Sequence, residues 1–219
     1  EIYTLSLHDA LPISLTSSII DLTSPFPSMP TIATYTGGTF DLAHPNPDDV
    51  RIEDIAVHLA RLPRFVGATE WTYSVAQHSF LVSLECVGWP LEALLHDAAE
   101  AYTGDITSPY KLLVPAGREA EARIMEAVVW RFDLSRAQKT WIAVKRADEV
   151  LLATEVRDLF LESKRPAWAQ ELKRPASDYQ IIPWPPEIAR DYFLGRFWER
   201  YAARPQSRAN KAREAKAIA

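Results

Sequence analysis

An all-α fold is predicted for this chain, and three observations predict it. Only 7 of the 219 residues are Gly, and the 16 Pro gather towards the two ends, so the middle is nearly free of helix breakers. From Asp48 to Tyr201 the apolar residues recur at helical spacing rather than alternating. Hydrophobic residues make up 47% and charged ones 24%, the composition of one ordinary globular domain with a sizeable core.

The elements follow in order. Glu1–Ser14 has no initiating Met and neither the basic start nor the apolar run of a signal peptide, and it reads as translated adapter sequence. Ser14–Pro30 is rich in Ser, Thr and Pro, so residues 1–35 are expected to be a non-native or disordered leader. The leader holds a His8-Asp9 pair that is easily mistaken for chemistry. Thr36–Asp41 and His44–Pro47 are turn-rich, as in a short hairpin or an extended lead-in. Asp48 or Asp49 is expected to cap a helix with Ile52, Ile55, Leu59 and Leu62 on its apolar face, stopped by Pro63. Val75–Val87 reads as a second helix, ended by Gly88. Pro90 suits the first turn of a third, running to Thr103. A loop centred on Thr103-Gly104-Asp105 precedes a short helix over Pro109–Leu113. Gly117–Phe132 is helical, capped downstream by Asp133 or Ser135. Ser135–Ser163 reads as a long helix, hydrophobic nearly all round and therefore central. Pro166–Pro186 is an irregular, Trp-containing wrap, and Glu187–Tyr201 a final amphipathic helix. The domain thus spans 36–204, and 205–219 is expected to be a disordered basic tail.

Charge and cysteine usage exclude several classes. A formal charge of −5, with no basic face on any helix, argues against a nucleic-acid-binding helical module, although a local basic pocket can still hold a small anion. The single Cys86 excludes an intramolecular disulfide, a Cys-rich zinc motif and a thioredoxin-like pair, and fits a reducing cytoplasm. No run of eighteen apolar residues is present, so no membrane partner is expected.

The informative residues are polar ones at positions that the helical period assigns to the interior. With residues advancing about 100° each, Leu91, Leu94, Leu95, Ala98 and Tyr102 form one stripe of the third helix. His96, Asp97 and Glu100 form another on the opposite side, which taken alone reads equally as a solvated face. On the second helix His78 shares a face with Val75, Leu81 and Val82. Its imidazole therefore points inward, as a hydrogen-bonded core residue or as a ligand. On the long helix Asp148 sits within the stripe Trp141, Val144, Leu151, Leu152 and Leu159. An unpaired carboxylate there would cost several kcal/mol, so it needs a cation, an Arg partner or a cluster of donors. Glu155, one heptad on, poses the same problem less severely, because its longer side chain can reach out. His58, at the edge of a stripe, and His44, in a Pro-rich loop, read as structural.

Two inward imidazoles and two carboxylates on three helices suit a borderline divalent ion such as Mn²⁺, Co²⁺, Fe²⁺ or Zn²⁺. His78, His96, Asp97 and Asp148 would leave positions on a six-coordinate ion open for water and a substrate oxygen. The residues alone reach a metal site in a helical domain.

Three segments carry a resemblance. Val75-Ala-Gln-His-Ser79, the block Leu95-His-Asp-Ala-Ala-Glu-Ala-Tyr-Thr-Gly-Asp-Ile-Thr-Ser-Pro-Tyr-Lys111, and Val144-Lys-Arg-Ala-Asp148 together resemble the HD-domain phosphohydrolases. Within them the chain is most similar to the branch of bacterial 5'-deoxynucleotidases and phage dNTP triphosphohydrolases. The resemblance covers about residues 38–204. It implies a helical bundle with the metal site between helices and one divalent ion (Mn²⁺, Co²⁺, Mg²⁺, Fe²⁺ or Zn²⁺). It also implies a nucleotide substrate and a homodimer packed through helices. Carried over by position, it makes His78, His96, Asp97 and Asp148 the metal ligands and Glu100 the acid/base. Asp105 would help to position the nucleophile, and Arg64, in Leu62-Pro-Arg-Phe65, would grip the substrate phosphate. Lys111 is either a second phosphate contact or a surface lysine. Phe65 and Trp71 either meet base and sugar or pack, with packing preferred.

Two departures stand out. Relatives usually continue Arg-Phe-Gly-Gly, whereas Val66 stands at the first Gly. Gln77 stands where many have Glu before the first His, which removes a negative charge near the metal. The expected activity is hydrolysis of the 5'-phosphoester of (deoxy)nucleotides, with monophosphates first. The alternatives are a triphosphohydrolase of dATP-like substrates releasing tripolyphosphate, which would enlist Lys111 and Arg118, and a catalytically silent nucleotide sensor.

Overall fold

A computed structural model of the chain describes residues 30–204. The expectations for residues 1–29 and 205–219, with the His8-Asp9 pair, lie outside the described residues. The fold is mostly helical, and among the described residues the only sheet is a two-stranded hairpin.

In that hairpin β1 (Thr31–Ala33) pairs antiparallel with β2 (Thr39–Asp41), with Ile32 opposite Phe40. Its first strand lies inside the segment assigned to the leader, so ordered structure begins before residue 36. Two contacts tie the hairpin down. Phe40 stacks on Tyr102 at 4.0 Å between ring centroids, and the buried Asp54 accepts from Thr36 N at 2.7 Å.

Helix α1 (Ile52–Arg61) buries Ile52, Ile55 and Leu59 and ends before Pro63 as expected. Its start differs. Asp48 and Asp49 form a separate 3-10 turn capped by Asn46, Val50 is extended, and Arg51 takes the N-cap without a side-chain bond. Pro47 favours the first turn of that small unit and so isolates the two acids from α1.

Helix α2 (Val75–Glu85) is capped by Ser74, whose Oγ accepts from Gln77 N at 3.2 Å. It is the central helix, buried from Val75 to Ser79 without a break and packed on α1, α3 (Pro90–Leu94), α7 (Gln138–Leu159) and α8 (Pro186–Ala202). The long helix is therefore not central. One face of α7 buries Val144, Ala147, Leu151 and Leu159, while Lys145, Arg146 and Arg157 face solvent. Apolar content had disguised the roles, because α2 buries Gln77, His78, Ser79 and Ser83, each a polar side chain. Gln77 clamps the wrap, donating to Ile182 O at 2.8 Å and accepting from Trp184 N at 2.8 Å.

The expected third helix is broken. Between α3 and α4 (Glu100–Thr103) the amides of Ala98, Glu100, Ala101 and Tyr102 each bond three residues back, at 3.0–3.3 Å. Such a tightened stretch turns about 120° per residue rather than 100°. At the end of α4, Gly104 adopts φ 84 and ψ 163, a region open only to Gly. Gly104→Ala is expected to cost about 1–3 kcal/mol in denaturant unfolding and to misplace Asp105, which follows it.

Helix α5 (Ser108–Leu113) leads into α6 (Pro115–Arg131). Asp133, left-handed at φ 52, closes α6, with Leu134 N bonded to Val129 O at 3.0 Å. Helix α7 ends at Leu159, short of the expected Ser163, and residues 160–185 wrap irregularly with two 3-10 turns, as expected of Pro166–Pro186. Helix α8 then buries Ala189, Phe193 and Phe197. Among the described residues no helix is long and apolar enough to cross a membrane.

Candidate metal centre

Three elements converge on one point. Helix α2 supplies His78, the tightened turn between α3 and α4 supplies His96 and Asp97, and α7 supplies Asp148. His78 Nε2 lies 3.3 Å from His96 Nε2, 3.5 Å from Asp97 Oδ2 and 3.4 Å from Asp148 Oδ1, and His96 Nε2 lies 3.2 Å from Asp97 Oδ2. Donors about 2.1 Å from a shared ion, at octahedral or tetrahedral angles, lie roughly 3.0–3.4 Å apart. The separations fit.

The tautomers fit as well. His96 Nδ1 lies 2.7 Å from the Ala93 carbonyl, which can only accept, so Nδ1 carries a proton and the neutral imidazole has its lone pair on Nε2. His78 Nδ1 lies 2.6 Å from Glu155 Oε1 and is fixed the same way. Two lone pairs and two carboxylates then face each other across a small gap, an arrangement that calls for a positive charge between them. Burial disfavours protonation of His96, yet Asp97 and Asp148 raise its imidazole to about 9. The Asp97 carboxyl, against the same burial, is held far below the usual carboxylate range by His96, His78 and Arg64. His78, His96 and Asp148 could thus hold a metal ion, with Asp97 Oδ2 within 3.5 Å of both imidazoles.

Around this centre the other expected residues fall into two groups. Arg64 is close, its two terminal nitrogens 3.6 Å from Asp97 Oδ2 and 3.2 Å from Glu155 Oε2, while its buried Nε has no hydrogen-bond partner. The loop that carries it is strained, with Phe65 and Val66 left-handed at φ 55 and 54. A β-branched residue there costs about 1–2 kcal/mol, which is the physical reason that Gly suits the position where Val66 departs from the resemblance. Glu100 is 6% exposed, and its Oε2 is buried without a hydrogen-bond partner. Burial, with repulsion from Asp97 and Asp105, pushes its carboxyl up to about 9. Asp105 is half-buried, and burial raises its carboxyl too.

Lys111 sits at the margin, 3.7 Å from Glu100 Oε1 but bonded at 2.8 Å to Glu121 Oε1. Arg118 is exposed on α6. Phe65 packs edge-on against Phe160 at 5.2 Å, whereas Trp71 is 71% exposed, against the packing expected of it. His58 is structural as expected, with Nδ1 2.7 Å from Ala101 O, and His44 stays in its loop beside Asp41. A separate groove of about 550 Å³, between α7 and the wrap, contains none of the site residues. Two of the arginines that line it, Arg157 and Arg174, are engaged by Asp158 and Glu149.

Glu155 is the residue whose weight the sequence reading missed. It does not reach out. Its side chain is fully buried, with one oxygen on His78 and the other on Arg64. The available signal was its place one heptad after Asp148 on the same buried stripe.

Fold and site together define a mostly helical protein with a buried His/Asp group able to hold a metal ion. No family model matches the chain. It is 39% identical over 168 residues to the uncharacterized protein YfdR of Escherichia coli K12, covering 76% of this chain and 93% of that protein. It is also 39% identical over 136 residues to an uncharacterized protein of Rhodobacter capsulatus, covering 56% of this chain and 69% of that protein. The chain belongs to the YfdR family.

Proposed function

We propose that the chain is an HD-domain phosphohydrolase with a divalent ion bound by His78, His96, Asp97 and Asp148, cleaving the 5'-phosphoester of nucleotides. The observation that carries this reading is the convergence of four metal donors with two buried, unpartnered polar atoms, Arg64 Nε and Glu100 Oε2. A donor and a proton carrier left unsatisfied beside a cation site suit an anionic substrate that completes both. When bound, the ion would polarise the phosphoryl group and acidify a water molecule.

The chain's own residues account for the rest. Arg64 offers the phosphate a planar, permanently charged donor set, held in place by Glu155. Glu100 either takes a proton from the attacking water or gives one to the leaving oxygen. Asp105, beside it in the Gly104 turn, helps to position the nucleophile. Arg64→Met, assayed at saturating metal, is expected to raise KM for a nucleotide by roughly 10- to 100-fold, the worth of a lost charge-assisted hydrogen bond of about 1.5–3 kcal/mol, measured in steady-state kinetics.

Monophosphates are the favoured substrates. A triphosphohydrolase needs positive charge for the β- and γ-phosphates, but Lys111 is committed to Glu121 and Arg118 is on an exposed face. A silent sensor is disfavoured because it has no need of a buried Glu100 whose Oε2 lacks a hydrogen-bond partner. The test is product analysis with deoxy- and ribonucleoside mono- and triphosphates in Mn²⁺, Co²⁺ or Mg²⁺. Orthophosphate from monophosphates is expected. Tripolyphosphate would move the assignment to a triphosphohydrolase, and no product from a metal-loaded protein would favour the sensor.

A further inference from the structure

The buried carboxylate of Glu155 has so far served only to hold Arg64, and its surroundings are unusual. It lies on the inner face of α7, seven residues beyond Asp148, with no solvent exposure. Oε1 is 2.6 Å from His78 Nδ1, and Oε2 is 3.2 Å from an Arg64 terminal nitrogen. Tyr73, fully buried alongside, has its hydroxyl pushed well above its ordinary range by burial, with the Glu155 carboxylate adding to the effect. A charge buried this deeply persists only if it is paired on both sides, and its two partners belong to two different tasks.

We infer that Glu155 is a positioning residue that binds the metal ligand His78 and the phosphate-gripping Arg64 into one rigid unit, so that metal affinity and phosphate affinity depend on the same side chain. The inference rests on the proposed phosphohydrolase reading. On the His78 side, a carboxylate on Nδ1 fixes the tautomer and makes Nε2 a better donor, an effect typically worth 10- to 100-fold in metal affinity. On the Arg64 side, Glu155 holds one terminal nitrogen and leaves Nε with no partner. The fork therefore stands ready before substrate arrives.

The test is Glu155→Gln, which keeps the volume and removes the charge. Co²⁺ affinity would be measured by chelator competition, with the visible Co²⁺ spectrum recorded, and phosphate affinity as the Ki of inorganic phosphate at saturating metal. About 10- to 100-fold weaker Co²⁺ binding, an altered spectrum and a raised phosphate Ki are expected in a folded variant. Wild-type Co²⁺ affinity and spectrum would overturn the inference, and so would weakened metal binding with an unchanged phosphate Ki. Should Glu155→Gln not fold, Glu155→Asp, which withdraws the charge by one methylene, decides on the same readouts. Failure of the unaltered protein to bind Co²⁺ at all would instead sink the phosphohydrolase reading.

Discussion

Asp97→Ala is expected to abolish stoichiometric metal binding and, with it, turnover. Asp97 Oδ2 lies 3.2 Å from His96 Nε2, 3.5 Å from His78 Nε2 and 3.6 Å from an Arg64 terminal nitrogen, so under the proposed function one oxygen would serve both the ion and the phosphate grip. Removing it leaves two imidazoles and Asp148 with one carboxylate fewer to offset a divalent charge, and it frees Arg64 on that side. Metal affinity should therefore fall by more than the roughly 10- to 100-fold that a lost outer partner costs. Elemental analysis of the purified variant is the check. Full metal stoichiometry would remove Asp97 from the ligand set.

Glu100→Ala should do the reverse, keeping the metal while losing about 10²- to 10⁴-fold in kcat, the usual worth of a positioned acid or base. Glu100 belongs to α4 and lies 3.7 Å from Lys111 Nζ. The substitution also removes a buried oxygen without a partner, so the variant should be no less stable than the parent. Metal content and kcat measured on the same preparation separate the roles. Lost metal would make Glu100 a ligand, and unchanged kcat would remove it from the chemistry.

The fold was legible where hydrophobic period and breakers agree. Helix α1 ends before Pro63, α8 runs Pro186–Ala202 against an expected Glu187–Tyr201, and the wrap between α7 and α8 is irregular. It was not legible where hydrogen bonding changes without a change in composition. The shift to three-residue bonds over 95–102 leaves the apolar stripe intact, so the break between α3 and α4 could not be read. The centrality of α2 was hidden because its buried positions include Ser79 and Ser83, small polar residues that pack closely.

Part of the candidate site was legible as well. Periodicity singled out Asp148 and the inward His78; His78 is fully buried, whereas Asp148 is half-buried and meets Lys145 Nζ at 2.7 Å. His96 and Asp97 read equally as a solvated face until the structure placed them beside His78. Glu155 was seen on the stripe but credited with reaching solvent. A helical wheel gives direction but not distance, and it could not show that Arg64, 91 residues earlier, waits 3.2 Å from its carboxylate.

The most direct measurement is hydrolysis of a deoxynucleoside monophosphate by metal-stripped protein as Mn²⁺ or Co²⁺ is titrated back, following nucleoside and orthophosphate together. Product formation that rises with bound metal and levels off at one ion per chain is the predicted result. A protein that fills to one ion per chain and still releases no phosphate from any nucleotide would contradict it.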